Sequence, residues 1–348
     1  MLRAVLVPFV VTRAILLAVA ALAFATLPVI DRCRACEIAS IPWLNAFVRW
    51  DGTAYIAIAD QGYRTVHDYA FFPLYPAMIR VVGTVLGGSV DALVIAGILI
   101  ANASAIAALW YVARIARDLG GDRLAERSTL ALLAFPTSFF LSVVYSESLL
   151  LLGLAGCLFH ARNAQWKRAA LFGAVAALAR PFGVLAFVPL VLEARHHGRR
   201  ALAAATVPIA TTAGWLIVGG GPRTFLDAQA RYGRHPALAL SAFTDLFDPA
   251  IYGDPWIVLA TTVFVGGLTV ALWRTLPLPL CGLATAYVLG AVSTGTLTSA
   301  PRYYLASIPV FIYLAIAAGR VTRTIYLVIG IALGALLAAT FMLGYWVA

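Results

Sequence analysis

The sequence predicts an all-α polytopic membrane protein with about eleven membrane-spanning helices. Three observations predict it. Of 348 residues 62% are hydrophobic and 11% charged, whereas an average soluble domain is about one quarter charged. The apolar residues fall in runs of membrane length, and the basic residues gather in the short connectors between them. With a mean hydropathy of +0.92, no water-soluble fold could cover so much apolar surface.

Membrane-length runs occupy residues 14–30, 92–113, 201–219, 256–273, 276–292 and 325–348. An apolar run of about 20 residues spans the hydrocarbon layer as a helix, because the backbone must satisfy its own polar groups there. The first run, with Arg3, Arg13 and Ala23-Phe24-Ala25, has the look of a cleavable signal peptide, but the many later spans favour a retained first helix.

Residues 71–88 are apolar but contain Pro73, Pro76, Arg80 and three glycines. We read them as an interfacial or re-entrant helix; a full span there would invert every later loop. On that reading Arg114, Arg117, Arg123 and Arg127, then Arg162, Lys167 and Arg168, then Arg195, Arg199 and Arg200, then Arg274, Arg320 and Arg323 all fall on the cytoplasmic side, as short basic loops do. The net charge of +10 thus reflects orientation and excludes nucleic acid as its explanation.

The opposite side carries two long segments, 31–90 and 220–255, with Asp31, Glu37, Asp51, Asp60, Asp68, Asp227, Asp245, Asp248 and Asp254. Between Ser128 and Glu193 lie four apolar pieces of only about 13 to 16 residues, too short for a comfortable span. Residues 1–348 read as one domain, without linker, low-complexity tract or repeat.

In the first outer segment Trp50, Ala54, Ala57, Ile58 and Gln61 recur near helical spacing, which predicts an interfacial helix with Asp51 near its start. Its carboxylate either meets both a lipid head group and a polar acceptor at the water boundary or caps the helix. Glu147, in Tyr145-Ser146-Glu147-Ser148, and Arg180, before Pro181, sit where short helices turn; they are either functional or a mutual ion pair. Arg302, in Ala300-Pro301-Arg302-Tyr303-Tyr304, suits bidentate phosphate contact or a snorkelling anchor between belt tyrosines. Trp43, Tyr63, Phe71, Phe72 and Tyr75 suit the aromatic belt.

His67, His196, His197 and His235 lack metal-ligand spacing, and no metal site is expected. Cys33 and Cys36 form either a disulfide, if their loop faces an oxidising space, or two unlinked thiols; Cys157 and Cys281 lie within apolar runs. No GxSxG, Walker A or dinucleotide fingerprint occurs.

Taken together, these pieces resemble the PIG-V class of GPI mannosyltransferases, within the GT-C membrane glycosyltransferases. The resemblance rests on Arg49-Trp50-Asp51-Gly52 through Gly62-Tyr63; Phe71-Phe72-Pro73-Leu74-Tyr75-Pro76; Phe135-Pro136 through Tyr145-Ser146-Glu147-Ser148; Arg180 to Gly183; and Pro301-Arg302-Tyr303. It implies a GT-C-like helical bundle, a polyprenyl-phosphate-mannose donor and an acid in the first outer loop, here Asp51. It departs from eukaryotic members in having Ala54 in place of a His and Arg180-Pro181-Phe182-Gly183 in place of Arg-Ser-Asn-Gly.

The expectation is therefore an inverting transfer without a cofactor. Asp51 is the base; Arg302, Arg180, Arg49 and Tyr303 meet the donor phosphate; and Trp50, Tyr145, Glu147, Phe72 and Tyr75 contact substrate. The acceptor is a glycolipid, a glycan or a protein. The Arg-rich, nearly Lys-free composition points to a bacterial plasma membrane, with the site on its outer face. The rival reading is a transporter or flippase of a lipid-linked anion, in which the same arginines bind and release phosphate.

Overall fold

The computed structural model describes residues 2–29, 36–195, 197–243, 246 and 255–347. Asp31, Cys33, His196, Asp245, Asp248 and Asp254 lie outside them. Among the described residues all regular structure is helical. Among these residues five helices are long and apolar enough to cross a membrane, and a sixth span arises if a pair bent by 76° counts as one. The difference from about eleven lies in short apolar helices, three of which run over Leu74–Val85, Pro181–Ala194 and Leu278–Val292. Each rises about 1.5 Å per residue and falls short of a bilayer core of about 30 Å.

Chain contacts divide the protein into two compact units. The first comprises Met1–Arg64, Pro73–Leu149 and Ala317–Val347. Its frame is α1 (Leu2–Thr26), packed against α14 (Arg320–Met342) and against α4 (Val90–Leu133). Ser89 caps α4 by accepting the Ala92 N–H, and the helix breaks at Gly120 and Gly121, whose backbone angles are not helical. The break lies within the basic stretch Arg114 to Arg127, where the sequence predicts a turn at the cytoplasmic face.

Two shorter helices, α2 (Asp51–Gln61) and α3 (Leu74–Val85), pack on α4. They stand where the sequence reading expects interfacial helices. α3 has 12 residues, about 18 Å of helix, in keeping with the interfacial or re-entrant reading. Apolar side chains such as Leu22, Leu99 and Val328 stand exposed on the long helices, as a lipid-facing surface requires.

The second unit comprises Thr65–Phe72 and Leu150–Ile316. It holds most of α5 (Glu147–Arg162), then α6 (Trp166–Ala179), a 3₁₀ turn over Pro181–Ala186, α7 (Phe187–Ala194) and α8 (Arg199–Val218). It continues through α9 (Pro222–Ala230), α10 (Pro255–Ala271), α11 (Leu278–Val292), the four-residue α12 (Ala300–Tyr303) and α13 (Ile308–Ala317). α6 packs on α8 and on the turn that follows it, while α7 bridges α8 and α11. The turn exists because Arg180 adopts an extended backbone, the region favoured for a residue before proline.

Candidate functional site

In the first unit the site is built around the start of α2. Trp50 holds the N-cap position with a positive φ of 54°, a strained conformation for a bulky residue. Asp51 opens the helix one position later and is half-buried. The structure thus assigns the cap to Trp50 rather than to Asp51, and leaves the Asp51 carboxylate in the first turn, where the helix dipole favours an anion.

Trp50 is fixed from three sides. Its indole N–H donates to the Tyr345 carbonyl at 3.0 Å, its ring meets Trp346 edge-on at 5.2 Å, and its backbone N–H donates to Cys36 Sγ at 3.2 Å. Cys36 is disulfide-bonded, in line with the disulfide alternative, while Cys33 is outside the described residues.

The first and third sequence blocks meet here. Tyr145 donates to the Arg49 carbonyl at 3.3 Å, the Val144 N–H donates to Phe47 O at 2.9 Å, and the Tyr55 and Ser146 hydroxyls are 2.7 Å apart. A Cβ on Gly52 would lie 3.1 Å from the Val144 carbonyl, so glycine after Asp51 lets α2 sit close on this strap. Glu147 follows as the first residue of α5 and is buried, as is Tyr145.

Arg13, read from sequence only as an N-terminal positive charge, is buried and donates to the Ser138 carbonyl at 2.8 Å. It anchors the turn carrying Phe139 and Phe140, which pack with Tyr145 and Phe341.

Arg49, expected at a phosphate, points its guanidinium at the Met342 carbonyl (3.3 Å) at the end of α14. A cation is favourable at that terminus, so Arg49 has a structural task beside Asp51. Burial lowers its pKa from the ordinary arginine value, and Glu37 partly restores it.

The second unit gathers cations. Arg302 is 1% exposed, which excludes the snorkelling alternative, since a snorkelling arginine keeps its head in water. Its Nη2 donates to Ser299 Oγ at 2.8 Å, and Arg234 Nη2 donates to the same oxygen at 2.8 Å. The two nitrogens are thus no more than about 5.6 Å apart. Like charges at that distance repel by roughly 2–3 kcal/mol at an effective dielectric near 20.

Arg180 and Arg234 each stand 5.6 Å from the Tyr303 ring centroid, and Phe182 meets that ring edge-on at 4.7 Å. Tyr303 and Tyr304 are buried, so neither is a belt residue. The same correction applies to Phe72 and Tyr75. Phe72 packs with Trp215 and Phe225, and Tyr75 donates its hydroxyl to Gly97 O at 2.9 Å. Trp43, by contrast, is exposed as a belt residue would be.

Sequence reasoning names Arg49, Trp50, Asp51 and Tyr145, of which Arg49 and Tyr145 meet in the first unit, and Arg180, Arg302 and Tyr303, of which Arg180 and Tyr303 meet in the second. It misses Arg234, whose signal was the basic Arg231-Tyr232-Gly233-Arg234-His235 stretch within an otherwise acidic segment.

Residues 3–202, more than half of the chain, match the mannosyltransferase family PIG-V. The chain belongs to the PIG-V mannosyltransferase family. Among solved structures it is similar to ArnT from Cupriavidus metallidurans bound to undecaprenyl phosphate, with 17% identity, 92% of this chain covered and a TM-score of 0.52. It is also similar to the oligosaccharyltransferase AglB from Archaeoglobus fulgidus in complex with an inhibitory peptide and a dolichol-phosphate, with 12% identity, 96% covered and a TM-score of 0.43. This chain spans 62% of the length of the ArnT chain and 55% of that of AglB. No curated protein matches it. This PIG-V member therefore has the GT-C fold shared with ArnT, and its Asp51, Tyr145, Glu147 and Arg180 lie within the region matched to the family, while Arg234 and Arg302 lie beyond it.

Proposed function

We propose that the protein transfers mannose from polyprenyl-phosphate-mannose to an acceptor hydroxyl at the extracytoplasmic face of a bacterial plasma membrane. Asp51 takes the proton from the hydroxyl, the oxygen attacks the anomeric carbon, and polyprenyl phosphate leaves with the bonding electron pair. Inversion turns a β-linked donor into an α-linked product. Glu147, Tyr145 and Trp50 shape the substrate side of the first unit, and Tyr75 supports it from that unit's core.

The observation that carries this reading is the convergence of buried arginines on Ser299 and Tyr303 in a PIG-V chain. Arg302 and Arg180 offset the charge of a departing phosphate, and fixed cations of this kind stabilise charge without reorganising at the moment of reaction. ArnT, which shares the fold, is seen with undecaprenyl phosphate, and that supports a polyprenyl-linked donor here.

The test is transfer of radiolabelled mannose from polyprenyl-phosphate-mannose in membranes containing wild type or Asp51→Asn at matched protein levels, with a lipid extract as acceptor. Loss of a general base costs about 10²- to 10⁴-fold, and that loss is expected in Asp51→Asn. Equal rates in both would remove Asp51 as the base. Relocation of intact donor without turnover would favour the transporter reading.

A further inference from the structure

Trp50 stands where a glycine is the natural residue. Its φ of 54° and ψ of −118° are those of the first central position of a type II′ turn, which the Gly52 N–H closes by donating to Arg49 O at 3.0 Å. A positive φ at that position suits glycine, and a bulky residue keeps it only where its surroundings over-determine it. The Trp50 carbonyl then accepts from the Thr53 N–H at 3.0 Å and from the Thr53 hydroxyl at 2.8 Å. The Trp50 backbone therefore lays down the first turn of α2, and Asp51 within it.

The grip on its side chain comes from the end of α14. That helix closes in a Schellman turn: the N–H of Gly344, whose φ is +92°, donates to Phe341 O at 3.0 Å, and the Tyr345 N–H donates to Thr340 O at 3.0 Å. Glycine is the usual residue at this point because it takes the left-handed backbone without penalty. The chain turns off the helix, and its next two residues meet Trp50. Tyr345 O accepts the indole N–H at 3.0 Å, and the Trp346 ring stands edge-on at 5.2 Å between centroids. Met342 O accepts from Arg49 at 3.3 Å. The two residues before Asp51 are thus both tied to one short segment, Met342 to Trp346. Tyr345 and Trp346 lie well beyond residues 3–202, which carry the family match.

We infer that Tyr345 and Trp346 are positioning residues for transfer: they hold Trp50 in its glycine-like turn and so fix the direction from which the Asp51 carboxylate meets the acceptor hydroxyl. The inference rests on the reading of Asp51 as the base. Both residues act through Trp50, Tyr345 by its carbonyl and Trp346 by the edge of its ring. A reacting group misplaced by about 1 Å can lose about a hundredfold in rate, so a grip on the residue before the carboxylate can decide turnover.

The experiment measures mannose transfer and amide hydrogen exchange in the purified full-length protein. Trp346→Ala should lower kcat about ten- to hundredfold with KM for polyprenyl-phosphate-mannose unchanged, and exchange over residues 48–56 should quicken. Trp346→Phe keeps an edge-on ring and should restore most of both. Placed on Asp51→Asn, Trp346→Ala should cost little more. In a Trp50→Gly background, where a positive φ needs no grip, Trp346→Ala should leave exchange over 48–56 unchanged.

A wild-type kcat in Trp346→Ala, unchanged exchange over 48–56, or a loss that adds in full to that of Asp51→Asn would overturn the assignment. Exchange that quickens across the whole protein would do the same, since that is loss of fold and not of position. Asp51→Asn at the wild-type rate would sink the base reading instead, and faster exchange confined to 48–56 in Trp346→Ala would still show the segment holding the turn.

Discussion

Arg302 donates from Nη2 to the hydroxyl of Ser299, 2.8 Å away, and neither residue is more than 2% exposed. The hydrogen bond turns the guanidinium back across the start of α12 and keeps it inside the unit. Burying a cation there is costly unless its donors are met, so the site is arranged for polar company.

Arg302→Lys keeps the charge but loses the planar fork, and an ammonium cannot hold Ser299 and a phosphate in the same way. Mannose transfer per unit of protein should fall at least about tenfold, the cost of one hydrogen bond to a charged group, while protein accumulation changes little. Arg302→Met should fall further. A lysine variant as fast as wild type would take Arg302 out of the chemistry.

The Tyr55 and Ser146 hydroxyls tie α2 to the strap before α5 across 91 residues of sequence. Tyr55→Phe and Ser146→Ala should each lower stability by about 1 kcal/mol, and the double variant by less than the sum, because both remove the same hydrogen bond. Thermal unfolding in detergent measures this. Fully additive losses would mean that the two hydroxyls are not coupled.

A Cβ on Gly183 would lie 1.8 Å from the Ala176 carbonyl oxygen, with the backbone of α6 in the way. Gly183→Ala must push the turn after Arg180 off α6, at about 1–3 kcal/mol or more for overpacking a tight contact. Reduced accumulation in membranes and a lower unfolding temperature are expected. An alanine variant as stable as wild type would mean that the turn has room to move.

Much of the first unit's site was legible because its cues are local. Asp51 follows a tryptophan at the head of an apolar 3.6-residue repeat, so both the helix and its start could be read. The short helices were equally visible, since Arg180-Pro181 and Tyr145 to Ser148 interrupt the apolar runs. What the sequence hides is burial and distance. A tyrosine in a lipid belt and one in a core have the same neighbours along the chain, which is why Tyr75, Tyr303 and Phe72 were placed at the surface. Arg234 and Ser299 are 65 residues apart, and no periodicity links them. Arg302 carried two meanings, and only its burial separates them.

The indole of Trp50, at the head of α2 and after α1, meets the carbonyl of Tyr345, just beyond the end of α14. Both ends of that hydrogen bond must lie at one membrane face. The polypeptide therefore crosses the bilayer an even number of times between them and, with α1, an odd number from the start of α1 to Tyr345. The start of α1 and the end of α14 thus open into different compartments, so a modifying group confined to one of them can reach only one of the two.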